Sequence, residues 1–195
     1  MTSETLIDTN ARGATPLPGD RLRRWTLRQM LRDPARDLLA VRGRQASALV
    51  LGCGSGELAR YLLGLGFGRV RGIDARPELV AAARSACAER AIEPERLDHC
   101  APGEPAADGP FDLVLIEDVA GAGGDESAAL ALARERARGA CAIVSGSRLL
   151  SRDRAREAGF ARVALVQPPA DAERSFVLLE RALLLAHPPD GERDG

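Results

Sequence analysis

The fold of this chain is decided by residues 48–76, which read ALVLGCGSGELARYLLGLGFGRVRGIDAR. An apolar run ends in three glycines at alternate positions, Gly52, Gly54 and Gly56, and a helical pattern follows them. A second apolar run then ends at Asp74. This order predicts a strand, a glycine-rich turn, a helix and a second strand that carries a carboxylate at its tip.

The predicted turn and carboxylate have the properties of a nucleoside-binding site. Glycines let the backbone come close to a ligand, and the helix that begins after them presents N–H groups and the positive end of its dipole. An acidic residue at the end of the second strand can accept hydrogen bonds from the two hydroxyls of a ribose. We therefore expect Asp74 and the turn at residues 52–56 to bind a ligand that contains a nucleoside.

The spacing of the glycines decides which nucleoside cofactor is expected. The dinucleotide fingerprint G-x-G-x-x-G requires a third glycine at position 57, but that position is Glu57, whose charge would face an anionic pyrophosphate. The spacing G-x-G-x-G after a strand instead resembles motif I of the class I S-adenosylmethionine-dependent methyltransferases. The resemblance extends from about residue 48 to 183, and its most specific pieces are LGCGSG at 51–56, GID at 72–74, PELVAAAR at 77–84 and FDLVL at 111–115.

Strand and helix signals alternate along the chain, which requires a parallel sheet with right-handed crossovers. Strands are predicted at 48–51, 69–73, 97–101, 111–116 and 140–144, with a last pair at 161–167 and 175–183 joined by a turn that begins at Pro168. Helices are predicted at 57–65, from 77 to about 90, from 125 to about 138, where Gly139 stops the helix, and from about 151 to 159. The resemblance implies the matching class, α/β, with a Rossmann-like, doubly wound, seven-stranded sheet that is mostly parallel and has an antiparallel C-terminal hairpin.

The chain divides into four segments along its length. Residues 1–19 are predicted to be a flexible leader, 20–45 an N-terminal helical lid, 46–185 the methyltransferase core and 186–195 a disordered tail. The segment 20–44 holds eight arginines against three aspartates, a local charge near +5. This charge is interpreted either as a solvated helix face over a lid or as a basic face for RNA or an anionic substrate.

The resemblance also implies a set of cofactor-binding residues. S-adenosylmethionine would place its amino-acid end on the backbone of the turn, its ribose on Asp74, and its adenine beside Ala75 and the tip of the third strand. The residues expected to bind the cofactor are Gly52, Cys53, Gly54, Gly56, Asp74, Ala75, Cys100, Ala101 and Glu117.

Glu117 and Asp118 are the expected catalytic residues, because they follow the fourth strand at the switch point between the first and fourth strands. Methyl transfer is an in-line displacement in which positioning supplies much of the acceleration, and a base helps when the acceptor has a proton to lose. The expected activity is methyl transfer from S-adenosylmethionine to a small-molecule acceptor, with oxygen as the favoured acceptor atom.

Two alternatives stay open at this point. Val50 stands where the first strand of the family usually carries an acid, and residues 119–124 lack a histidine that is common in small-molecule methyltransferases. Both departures favour a methyltransferase-fold protein that binds or scaffolds without catalysis. An RNA methyltransferase that uses the arginine-rich segment is the other alternative, although residues 117–120 do not form the Asn-Pro-Pro-Tyr motif of amino-group methyltransferases.

Composition bounds the remaining possibilities. The net charge of −1 creates no global field for nucleic acid, and an aromatic content of 3% disfavours base stacking. The four cysteines are far apart and there are two histidines, so no metal site is expected. No signal peptide or membrane-spanning run is recognised, so we expect a cytoplasmic protein without a membrane partner. The oligomeric state is left open.

Overall fold

The computed structural model describes residues 28, 31–33, 35–103, 110–118, 121–144, 152–160, 162–166 and 183–187. Strands and helices alternate along them. The elements are α1 (residues 35–42), β1 (Ser47–Leu51), α2 (Glu57–Leu65), β2 (Arg69–Ile73), α3 (Pro77–Ala88), β3 (Leu97–Cys100), β4 (Phe111–Ile116), α4 (Glu126–Arg136), β5 (Ala137–Val144), α5 (Arg152–Glu157), β6 (Arg162–Val166) and β7 (Leu183–His187).

The described strands form one sheet in the order β3-β2-β1-β4-β5-β7-β6. Strands β1 to β5 are parallel to their neighbours, and β7 lies antiparallel between β5 and β6. The predicted α/β class with a parallel sheet is therefore confirmed. Because the chain moves from β1 outward to β2 and β3 and then returns to β4, the carboxyl ends of β1 and β4 border a crevice at the point where strand order reverses.

The observed bounds of two elements differ from the prediction. β7 runs over Leu183–His187, into the segment expected to be a tail, whereas residues 175–182 of the predicted last strand lie outside the described residues. Gly139 was expected to stop the helix before β5, but α4 ends at Arg136 and Gly139 lies inside the strand. Pairing with β4 begins at Ala137, opposite Phe111, and this strand pairing outweighs the local stop signal of a glycine. The predicted turn at Pro168 lies outside the described residues.

Both faces of the sheet are covered by buried apolar side chains. One face packs against α1, α2 and α3, with Leu31, Ala35, Leu58, Leu62 and Cys87 in a single cluster. The other packs against α4 and Phe160. All six residues of β4 are buried, as expected for a central parallel strand with helices on both faces.

The N-terminal segment contributes to this core. Residues 31–33 and 35–42 are helical, and Leu31 and Ala35 are fully buried among residues of α2 and β1. In the part of the predicted lid that the structure describes, one helix face thus packs on the core. The predicted leader at 1–19 lies outside the described residues. None of the described helices combines the length and apolar character needed to cross a membrane.

Asp112 is the one carboxylate in β4, and it lies at the edge of the sheet opposite the crevice. It is 4% exposed and accepts hydrogen bonds from Ser47 N at 2.9 Å and Ser47 Oγ at 3.1 Å. Arg42 Nε lies 3.1 Å from its other oxygen, and Arg138 Nη1 lies 4.0 Å away. These partners compensate the buried charge, so Asp112 joins α1, β1 and β5 at the base of the sheet.

Candidate functional site

The glycine turn is tied to the strand beside it. Gly52 N and Cys53 N both donate to Ile73 O, at 2.7 and 3.0 Å, so the end of β1 is joined to the end of β2. Gly56 N donates to Cys53 O at 2.9 Å, and Arg60 Nη1 donates to Ser55 O at 2.8 Å. The turn is therefore held from β2 on one side and from α2 on the other.

The three glycines of the turn serve different purposes. All have positive φ, +68° at Gly52, +54° at Gly54 and +76° at Gly56, a region that disfavours side chains. A side chain at Gly52 would overlap the carbonyl oxygen of Asp118, and one at Gly56 would overlap His99 Nε2. A Cβ at Gly54 would meet no atom within 4 Å. The turn is thus packed at both ends and open in the middle, where a ligand can approach the backbone.

Asp74 lies directly after β2, and its side chain is fully buried. Oδ2 accepts from Gly54 N at 2.7 Å and from Arg76 Nη2 at 2.9 Å. Oδ1 accepts from Arg76 N at 3.0 Å and from Arg76 Nε at 2.8 Å. A carboxylate has about four lone-pair positions, so these hydrogen bonds use its full accepting capacity.

The Asp74–Arg76 pair is charged. Burial raises the pKa of Asp74, but the hydrogen bonds from Arg76 and Gly54 and the positive charge of Arg76 outweigh it, and the net pKa lies below the ordinary value. The same hydrogen bonds hold the pKa of Arg76 above its ordinary value. Asp74 is therefore an ionised acceptor.

Arg76 connects Asp74 to the chain after β4. Its Nη2 lies 3.0 Å from Asp118 Oδ2, so a single guanidinium bridges two carboxylates. Gly121 packs against the same groups, since a Cβ there would lie 2.5 Å from Asp74 Oδ2 and 2.6 Å from Arg76 Nη2. Ala75 N donates to Gly121 O at 2.6 Å. The residues after β4 thus pack directly on the tips of β1 and β2.

Glu117 and Asp118 lie at the junction of β1 and β4. Glu117 N donates to Leu51 O at 2.9 Å, which continues the pairing of the two strands by one residue. Both acids are half-buried.

The thiol of Cys53, inside the glycine turn, stays protonated. Burial, followed by the nearby charges of Asp74 and Glu117, raises the pKa of Cys53 far above its ordinary value, so this thiol is no nucleophile.

The residues expected around the adenine differ in whether they are accessible to a ligand. Ala75 is exposed at the tip of β2, next to Asp74. Cys100 is buried on the α4 face of the sheet, and its carbonyl accepts from Asp74 N at 3.2 Å. The side chain and the carbonyl of Cys100 are therefore both engaged inside the sheet. Ala101, half-buried just beyond β3, is the better candidate of the two for contact with the adenine.

His99 supports the turn from inside the protein. It is 1% exposed, its Nε2 lies beneath Gly56, and its Nδ1 lies 3.9 Å from Cys87 Sγ. Burial, reinforced by the charges of Arg60 and Arg84, lowers its pKa to about 4, so the imidazole is neutral at pH 7. His99 is a structural side chain with no access to a ligand in the crevice.

The sequence pattern did not single out Arg76 or Gly121. An arginine two residues after the acid was visible at the end of the motif, but its contact with Asp118 joins positions that are 42 residues apart. Gly121 stood in a glycine-rich run that predicted a loop and gave no indication of packing on Asp74.

The chain has a match to a known family over its central part. Residues 48–138 match a family model described as a methyltransferase domain. The matched residues make up slightly less than half of the chain, and together with the sheet order and the glycine turn the match supports the class that the sequence resembles, the class I S-adenosylmethionine-dependent methyltransferases. The prediction of a methyltransferase that uses S-adenosylmethionine is therefore confirmed, whereas its acceptor is not determined.

Solved structures with the same fold act on different molecules. Magnesium protoporphyrin IX methyltransferase (ChlM) of Synechocystis PCC 6803, with bound SAM, is similar with a TM-score of 0.63 and 16% identity over 91% of this chain and 87% of that chain. The [4+2]-cyclase SpnF is similar with a TM-score of 0.59 and 18% identity over 83% and 81%. The T. thermophilus 16S rRNA methyltransferase RsmC, in complex with AdoMet and guanosine, has a TM-score of 0.63 and 20% identity over 92% and 45%. No curated protein matches the sequence.

These identities establish the fold and leave the acceptor undetermined, since function resides in the site and not in the fold. The residues of the turn fit the cofactor of the family, because the space beside the Gly54 Cα is open to a ligand. Asp74 fits a ribose in position and charge, but two of its accepting positions are taken by the Arg76 side chain.

Proposed function

We propose that this protein transfers a methyl group from S-adenosylmethionine to an oxygen atom of a small-molecule acceptor. The observation that carries the proposal is the convergence of three strand tips: the turn after β1, Asp74 after β2, and Glu117 with Asp118 after β4. They are joined by hydrogen bonds between Gly54 and Asp74 and between Arg76 and Asp118. A cofactor and an acceptor could therefore meet in one crevice.

The cofactor would be held mainly by backbone. The turn, with Gly52, Cys53, Gly54 and Gly56, would contact the amino-acid end, and α2 begins with a glycine N-cap whose helix presents its positive end to a carboxylate. Asp74 would accept hydrogen bonds from the ribose. Ala75 and Ala101 would lie beside the adenine, and Cys100 would act only indirectly, as part of the strand that positions Ala101. Val50 is fully buried between β2 and β4, so the amino-acid end would rely on the turn and the helix.

The acids after β4 would serve the transfer step. When bound, the cofactor supplies a methyl group activated by a sulfonium leaving group. Asp118, with a side chain that is 41% exposed, is the candidate to accept the proton of the acceptor hydroxyl. Glu117, whose Oε2 is buried, would contact the cofactor and orient the acceptor from the β1 side. Much of the acceleration would come from holding the acceptor in line with the methyl group.

A small-molecule acceptor is favoured over RNA by charge and composition. The chain has a net charge of −1 and few aromatic residues, whereas RNA binding draws on basic surfaces and base stacking. In the described part of the N-terminal segment, Arg28 lies 4.0 Å from Glu57 and Arg36 lies 3.8 Å from Asp33, so acids partly neutralise this arginine-rich stretch.

The proposal is tested first by cofactor binding. Calorimetry with S-adenosylmethionine should give a measurable affinity, and millimolar cofactor should raise the melting temperature. Asp74→Asn should weaken binding about tenfold or more, because a charge-assisted acceptor of the ribose is lost. The matched control is Asp98→Asn, which also removes a carboxylate paired with an arginine (Arg71 at 2.7 Å) but at β3, and it should leave the affinity unchanged. Absence of binding by the wild-type protein would remove the proposal.

Methyl transfer is then measured with isotope-labelled cofactor. The acceptors are a panel of hydroxylated small molecules, matching amines, and total RNA. Product on a hydroxyl compound supports the proposal, and Asp118→Asn should lower kcat roughly 100-fold or more if this acid is the base. Product on RNA, with binding that weakens steeply as salt is added, would replace the small-molecule acceptor by RNA.

A further inference from the structure

The four donors to Asp74 fall into two groups. Gly54 N and Arg76 N belong to the backbone of the turn and of the strand tip, so they stay in place as long as the fold does. Arg76 Nε and Nη2 belong to a side chain that is 38% exposed and can rotate into solvent. One of these side-chain donors is on each carboxylate oxygen.

A ribose offers two hydroxyl donors, one for each position that Arg76 would vacate. Both sets of donors cannot be accommodated together, because Asp74 has no accepting position left and Gly121 closes the space beside Oδ2 and Nη2. We propose that the Arg76 side chain and the ribose of the cofactor compete for the same accepting positions of Asp74, so that Arg76 leaves Asp74 when the cofactor binds. This inference rests on the proposed function, since it concerns the same site.

The displacement of Arg76 has a consequence at the other end of its guanidinium. The same group donates to Asp118 Oδ2 at 3.0 Å, so its departure from Asp74 also removes a hydrogen bond and a positive charge from the proposed base. A carboxylate oxygen that loses such a donor regains an accepting position. Arg76 is thus a positioning residue that links occupancy of the cofactor site to the state of Asp118.

The experiment compares the affinity of S-adenosylhomocysteine for the wild-type protein, Arg76→Ala and Arg76→Lys by calorimetry. Arg76→Ala should bind about five- to tenfold more tightly, because the ligand no longer competes with an internal donor. Arg76→Lys keeps the charge without the two-pronged geometry and should lie in between. The matched control, Arg96→Ala, removes an exposed arginine in the α3–β3 connection and should bind like the wild type.

A second ligand tests whether the increase in affinity arises at the ribose. The 2′-deoxy analogue of S-adenosylhomocysteine lacks one hydroxyl donor to Asp74, so the increase in affinity caused by Arg76→Ala should be smaller for this analogue. Wild-type binding with equal or weaker binding by Arg76→Ala would overturn the role of Arg76 and leave the proposed function standing. Absence of binding by the wild type would overturn the proposed function and this inference together. Circular dichroism and thermal melting of each variant exclude loss of the fold as the cause.

Discussion

Gly52 and Asp118 pack backbone against backbone, so that any side chain at Gly52 would overlap the Asp118 carbonyl oxygen. The contact joins the first glycine of the turn to the residues that follow β4. It explains why this glycine is needed for the architecture, in addition to any contact with a ligand. Gly54 has a similar φ but open space beside it, and the two glycines therefore provide a matched pair of substitutions.

Gly52→Ala should destabilise the protein by roughly 3 kcal/mol. A left-handed conformation costs an alanine about 1–2 kcal/mol, and the overlap with Asp118 adds about 1–3 kcal/mol of overpacking. Gly54→Ala has only the cost of the left-handed conformation, so its stability should fall by about 1 kcal/mol. Its affinity for S-adenosylhomocysteine should also fall, because the added methyl group fills the open side of the turn. Urea unfolding measures the first effect and calorimetry the second. Equal losses of stability in the two variants would contradict this division.

Asp112→Asn should cost about 2 kcal/mol of stability without changing cofactor affinity. Breaking a buried ion pair costs about 3–5 kcal/mol, and the value is reduced here because the Arg42 side chain is 37% exposed and can be solvated. Asp98→Asn provides the comparison, because there the arginine is the buried partner: the Arg71 side chain is 10% exposed and that of Asp98 is 36% exposed. It should cost about 1–3 kcal/mol, because the buried guanidinium loses its ionic partner. Urea unfolding midpoints measure both losses, and an unchanged midpoint in either variant would contradict a stabilising role of its ion pair.

The elements that could be predicted from the sequence are those with local signals. Pro77 begins α3 as its first residue, and Asp125 caps α4 by accepting hydrogen bonds from Ser127 N and Ala128 N, at 2.9 and 3.3 Å. The five apolar runs of the parallel sheet were placed within a few residues of their observed ends. In each case the signal lies within the element itself.

What could not be predicted depends on contacts between distant parts of the chain. The position of β7 is set by pairing with β5 and β6, and the start of β5 is set by pairing with Phe111. At the site, Asp74 was identified by its place after an apolar run, but its partners come from the turn, from Arg76 and from the chain near Gly121. A motif locates the carboxylate, whereas its hydrogen bonds require the folded sheet.

His99 should make the protein less stable in mild acid. Its pKa is about 4 in the folded protein against 6.5 when solvated, so the unfolded chain takes up a proton that the folded chain does not, and stability falls as the pH drops from 6.5 towards 4. The loss should reach roughly 3 kcal/mol at pH 4. Arg60 and Arg84 disfavour the charged imidazole and Asp98 favours it, so the net effect of the neighbours adds to burial.

The measurement is the urea midpoint of the wild type and of His99→Gln between pH 7 and pH 4. All other titratable groups are common to the two proteins and cancel in the difference, so the steeper fall in the wild type reports on His99 alone. Parallel curves would mean that His99 titrates alike in the folded and unfolded chain.

Ala91→Gly should stabilise the protein by up to about 1 kcal/mol. Among the described residues, Ala91 is the non-glycine residue with a positive φ, +51°, in the turn between α3 and β3. Its N–H donates to Ala88 O at 3.0 Å, which holds it in the left-handed conformation that ends the helix. Glycine removes the cost of about 1–2 kcal/mol that an alanine has in the left-handed conformation. It also raises the backbone entropy of the unfolded chain, which opposes folding by about 0.5–1 kcal/mol, so the net effect favours the variant. Ala81→Gly, the same change at an exposed position inside α3, should instead destabilise by about 1 kcal/mol, and thermal unfolding of the two variants should therefore shift in opposite directions. A shift of the same sign in both would mean that the turn at Ala91 is not strained.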